Sequence, residues 1–194
     1  MEPRMHPNAI ILATARLRKV QLTVKAMANY ADNPAAIESL WGEFVMAAGA
    51  VYSKLEQGSK SNGTSAAWFG KKKHERKSDP LLRYIHQARN ADEHGIELIT
   101  ARHNSEITLG PGASATLVAT DNHTWTVQDA QGEIQYPQDR VVLVRVHDPR
   151  FGDHFDPPDE HLGAPVPNRL PHTIAELALT YLEGLVAEAA RLGS

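Results

Sequence analysis

Apolar residues recur at alternating steps of three and four along the first third of the chain. Ile10, Ala13, Leu17, Val20, Val24 and Met27 share one stripe of a helix over residues 8–30, with Arg16, Arg18, Lys19 and Lys25 mostly off it. Asn33-Pro34 interrupts the pattern. Ile37, Trp41, Phe44, Ala48, Val51 and Leu55 then repeat it over 35–57, and the short link predicts an antiparallel helix pair. Residues 58–65 are rich in Gly, Ser and Asn, lack an apolar period, and read as a flexible loop leading into an aromatic and basic segment. Asp79 and Pro80 open a third helix, since an Asp side chain caps free amides and Pro suits the first helical position. It runs to about His94, with Leu81, Ile85 and Ala88 on one face and Gly95 as its stop.

After Asn104 the period changes to two. Strands are predicted at 105–109, 114–120, 123–128, 132–136 and 140–147, with turn signals at 110–112 and 129–132. The β-branched run from Arg140 to Val146 carries the strongest strand signal. Residues 148–171 hold six prolines and read as an irregular crossing segment. A last helix over about 172–192 places Ile174, Ala178, Tyr181, Leu185 and Ala189 on one side, with Thr173 and Glu176 at capping-box spacing. The fold class is therefore mainly α. A four-helix bundle built from 8–103 and 172–192 carries a small antiparallel β and proline-rich insertion, 104–171, between helices three and four. No internal repeat is present.

Composition narrows the chemistry. The 194 residues suit one domain with a sizeable insertion, and the 42% apolar and 22% charged content is that of a soluble globular chain. With no cysteine, disulfides, thiolate zinc sites and cysteine nucleophiles are excluded. No apolar run reaches membrane-spanning length, and the first residues lack signal-peptide order, so the expectation is a cytoplasmic protein that does not engage a membrane. No Gly-rich phosphate loop and no GxSxG elbow occurs, which leaves nucleotide hydrolysis and serine-esterase chemistry unsupported.

The net charge of -3 conceals an asymmetry, because residues 1–103 carry a positive excess and 104–194 a larger negative one. Much of the positive excess lies in Lys71, Lys72, Lys73, Arg76 and Lys77, beside Trp68 and Phe69. Such a run can hold a polyanion backbone while the aromatics stack bases. A solvated loop, with the aromatics as packing anchors, is the plain alternative.

The third helix ends Arg89-Asn90-Ala-Asp-Glu-His94. Asn90 and His94 share a face, extended one turn back by His86, while Arg89 lies about 140° round from His94 on an ideal helix. Arginine followed directly by a polar residue, with histidine a few positions on in a bundle helix, resembles the signature of HEPN (higher eukaryotes and prokaryotes nucleotide-binding) domains. The resemblance covers the helical part and not the strands. The bare Arg–His spacing also occurs at Arg140 and His147, but there Val141 follows the arginine in a strand-like run.

The resemblance implies a HEPN-like four-helix bundle that works as a homodimer. It implies a metal-independent endoribonuclease that needs no cofactor, in the setting of toxins and phage-defence effectors, where an antitoxin protein would be a partner. Arg89, Asn90 and His94 would be catalytic, and RNA would be the substrate. Their chemistry is apt. A histidine accepts or donates a proton near neutral pH. An arginine holds phosphate in a bidentate contact, and an asparagine orients the imidazole or substrate. Cleavage through the ribose 2′-hydroxyl would leave a 2′,3′-cyclic phosphate and a 5′-hydroxyl.

Three alternatives stay open at this level. Arg89 with Glu93 can be a plain i,i+4 surface ion pair, and His94 a helix-end histidine favoured by the dipole. The module can bind RNA, a nucleotide or a partner protein without cleaving anything. His147, Asp148, Asp153, His154, Asp156, Asp159, Glu160 and His161 can form a separate metal-dependent centre, although they lack helical metal-ligand spacing and read more readily as an acidic loop.

Overall fold

The structure, a computed structural model, describes residues 5–103, 116–120, 124–129, 132–137, 140–148 and 151–193. Five helices carry it: α1 (Pro7–Asn29), α2 (Pro34–Ser59), α3 (Gly63–Ser78), α4 (Pro80–His94) and α5 (Pro171–Gly193). The apolar stripes read from the sequence are the buried faces. Ala13, Leu17, Val20, Val24 and Met27 of α1 meet Ile37, Trp41, Phe44, Ala48, Val51 and Leu55 of α2. Ile174, Ala178, Leu182, Leu185 and Ala189 of α5 join the same core. Capping follows the expected chemistry at α4, where Asp79 Oδ1 accepts from the Leu82 N–H at 2.8 Å and Pro80 fills the first position. Gly58 lets α1 cross closely, since a Cβ there would meet the Ala9 methyl at 2.1 Å.

The basic segment departs from expectation. The predicted flexible loop at 58–65 is the end of α2, a short turn and the start of α3, and the run from Lys71 to Lys77 is helical. Asn62 Oδ1 caps α3 by accepting from the Thr64 N–H at 2.8 Å. The following lysines, glutamate and arginine are good helix formers, so a chain with few apolar positions still winds there.

The capping box at Thr173 is also corrected. Helix α5 begins earlier, at Pro171, where proline is favoured. Glu176 lies 3.5 Å from His172 instead of reaching back to Thr173.

The described β structure is a set of small antiparallel pieces. Strand β1 (Thr100–His103) pairs with β5 (Arg140–Leu143), with Thr100 opposite Leu143. A meander joins β2 (Thr116–Thr120), β3 (Thr124–Asp129) and β4 (Gly132–Pro137). The predicted strand 105–109 and the turn 110–112 lie outside the described residues. The single strand expected over 140–147 is divided into β5 and β6 (Val146–Asp148). The crossing segment contains β7 (Asp153–Phe155), β8 (Glu160–His161) and β9 (Ala164–Pro165). Part of the expected insertion belongs to the bundle's own core: Val141, Leu143 and Val146 are buried with the helices, and the Tyr84 hydroxyl of α4 donates to the Val144 carbonyl at 2.7 Å.

The crossing segment is pinned at the α3–α4 corner. Asp79, besides capping α4, accepts from the Leu162 N–H at 2.7 Å and lies 3.0 Å from His161 Nδ1. Leu162 and Gly163 form the β8–β9 turn with φ of 50° and 80°. A leucine in that left-handed region costs on the order of 1 kcal/mol. The hydrogen bond from its N–H to a carboxylate contributes about 1.5–3 kcal/mol and outweighs that cost. Among the described residues, no helix is long and apolar enough to cross a membrane.

Candidate functional site

Helix α4 ends at a cleft of about 660 Å³. One wall is the last two turns of the helix and the chain just beyond, with His86, Gln87, Arg89, Asn90, His94 and Ile96. The facing wall is formed by His147 and Asp148 of β6 and by Phe151. Arg89, Asn90 and His94 therefore line one cavity in spite of their angular separation. The cleft wraps the end of the helix, where Gly95 turns the chain away. Gly95 is needed for that turn, since a Cβ would approach the Ala91 carbonyl oxygen to 2.6 Å.

The side chains of the motif form a connected set. Arg89 donates from Nη1 to Asn90 Oδ1 at 3.3 Å, and Asn90 Nδ2 donates to Gln87 Oε1 at 3.2 Å. Glu93 makes an ion pair with Arg89 and lies 3.4 Å from His94 Nε2. The i,i+4 pair anticipated as the plain alternative is thus present, and it shares its carboxylate with the imidazole. His94 is 61% exposed and open to the cleft. The Arg89 aliphatic stem lies over Gly49 of α2, and its Nε is buried without a hydrogen-bond partner among the described residues.

His86 sits deeper. Burial lowers its pKa to about 4, and the charges of Arg76 and Arg89 push the same way. Asp148 opposes them, and Lys73 adds to the lowering. The ring is therefore neutral at physiological pH. Its C2 proton is expected to keep one chemical shift in a proton NMR titration from about pH 8 to about pH 5. The unfolded chain takes up a proton near its unperturbed value while the folded one does not, so His86 contributes stability that declines as pH falls from about 6.5 toward 4. A His86 midpoint above about pH 6 would contradict this.

The residues expected to hold RNA are mostly occupied by their own fold. Phe69 is a core residue, 4% exposed, so the expectation that it stacks bases is corrected. Trp68 is half-buried and its indole N–H donates to Glu188 at 3.0 Å. Lys72 binds Glu188 at 3.1 Å and Glu75 at 3.2 Å, and Lys73 lies 3.2 Å from Glu56. Arg76 stacks its guanidinium 4.6 Å over the Tyr52 ring. Lys71 and Lys77 are exposed. The acidic second part of the chain thus neutralises part of the basic run through Glu188 of α5.

The His/Asp-rich segment is dispersed. His147 turns to the cleft, stacked 4.8 Å from His154, and its Nδ1 is 3.8 Å from Glu97. Asp156 pairs with Arg145 at 2.6 Å, Asp159 with Arg169 at 3.3 Å, and His161 with Asp79. No three such side chains gather as a ligand set among the described residues. The facing wall of the cleft was not read as part of this site from the sequence. His147 and Asp148 stood out there as members of an acidic cluster, and His147 also as the partner of Arg140 in a bare spacing match, while Phe151 gave no signal. No protein-family model matches the chain, and no curated protein or solved structure is significantly similar to it.

Proposed function

We propose that the cleft at the end of α4 cleaves RNA by the metal-independent route that the HEPN-like motif implies. The observation that carries the reading is the gathering of Arg89, Asn90 and an exposed His94 around one open cavity. In this reading His94 takes the proton from the ribose 2′-hydroxyl as its oxygen attacks phosphorus. Arg89 offsets the charge that builds on the phosphate, trading its Glu93 contact for the substrate. The bond from phosphorus to the 5′-oxygen breaks, and that oxygen needs a proton. His147, which lines the same cleft from β6, is a group of this chain with the chemistry to give it. A homodimer would supply a second set instead, as the resemblance implies. His86, held neutral, is suited to hydrogen bonding but not to carrying a proton at neutral pH.

Incubation with single-stranded RNA in EDTA is expected to give products ending in 2′,3′-cyclic phosphate and 5′-hydroxyl. Intact RNA, or cleavage only on adding a divalent metal, overturns the reading. The Arg89–Glu93 pair favours a second reading, a module that binds RNA, a nucleotide or a partner protein and does not cleave. That reading expects salt-sensitive retention of RNA with no products.

A further inference from the structure

We propose that Phe151, just ahead of β7, forms a nucleobase subsite, in which an unpaired base stacks on its ring while the phosphate lies at Arg89. This deepens the reading above and rests on it for the phosphate half. The starting observation is an anomaly of exposure. Phe151 presents 78% of its surface to solvent, in a chain that buries its other described phenylalanines wholly or in part. Its ring lines the same cavity as Arg89, Asn90 and His94.

The backbone that carries the ring is braced. Val146 pairs with Phe155, His147 with His154 and Asp148 with Asp153, which closes a short hairpin. The N–H groups of Phe151 and Gly152 both donate to the Asp148 carbonyl, at 3.3 and 2.9 Å, and Gly152 takes the φ of +74° that the turn requires. On the other arm of the hairpin, Phe155 packs against the core, with the Arg83 guanidinium 5.6 Å over its ring. One aromatic of the hairpin is therefore an anchor, and the other is a presented face.

A cationic group lining the same cleft as an exposed aromatic ring on a braced backbone is what a nucleotide requires: charge for the phosphate and a flat apolar surface for the base. The aromatic positions first expected to stack bases, Trp68 and Phe69, are packed or bonded elsewhere. Stacking needs a free base face, so the substrate class is single-stranded nucleic acid.

Calorimetric binding of uridine 3′-monophosphate, adenosine 3′-monophosphate and inorganic phosphate tests this. Wild type is expected to bind the nucleotides about ten- to a hundredfold more tightly than phosphate. Phe151→Ala should bring the three within a few-fold of one another and leave phosphate affinity unchanged, while Phe151→Trp keeps the preference. Equal affinities in wild type, a preference that survives Phe151→Ala, or no binding of any probe overturns the subsite. So does dimerisation that Phe151→Ala abolishes, since a second copy would then own the ring. If RNA stays intact but the preference depends on Phe151, the subsite stands and the cleavage reading falls. If RNA is cut and Phe151→Ala cuts it with unchanged KM, the reverse holds.

Discussion

Replacing His94 with alanine is expected to slow RNA cleavage by about two to four orders of magnitude, the range lost with a general acid or base. The side chain is 61% exposed, so the variant should keep the wild-type fold. Arg89→Ala should cost about ten- to a few hundredfold, the worth of a charge-assisted contact to phosphate. Arg89→Lys should recover only part of that, because a lysine keeps the charge and loses the fork. The measurement is initial rate on one single-stranded RNA at equal folded concentration, with circular dichroism as the control. Wild-type rates in both alanine variants would remove these residues from the reaction.

The second large effect concerns stability. Asp79→Ala is expected to cost about 2–4 kcal/mol, through loss of the α4 cap and of an acceptor for the Leu162 amide. The turn at Leu162 would then keep its unfavourable backbone without the bond that holds it. Burial alone would raise the Asp79 pKa. The contacts from His161 and from the Leu162 and Leu82 amides outweigh burial and hold the carboxyl below its ordinary value. With the folded pKa below the unfolded one, the charged form contributes stability above the unfolded value, and that contribution is lost as pH falls through the folded one. Urea unfolding should therefore show wild type well above Asp79→Asn at neutral pH, with the gap closing in acid. A gap that is absent at neutral pH or undiminished at about pH 3 would contradict this account.

Four of the five helices were legible as apolar stripes, because burial of one face leaves a period that needs no knowledge of partners. Helix α3 was hidden because only Ser65 and Phe69 are fully buried along it. Its cue was the Asn62 cap followed by helix-forming charges, a signal easily taken for a solvated loop. The candidate site was half legible. Arg89, Asn90 and His94 lie within one helical stretch, where spacing speaks for geometry. His147 and Phe151 reach the cleft through the packing of β6 against α4, across more than fifty intervening residues, and no local pattern records such a meeting. The fate of Lys72 was hidden for the same reason, since its partner Glu188 lies on the last helix.

The Arg89 stem resting on Gly49 ties two positions into one evolutionary unit. A Cβ at 49 would sit 3.4 Å from Arg89 Cγ, an ordinary contact that already touches the stem. A longer side chain at 49 would press on that stem and is expected to displace the guanidinium. Divergent copies of this protein should therefore change the two sites together, and a bulky residue at 49 would mark a descendant whose cleft has been retired from the chemistry proposed for it.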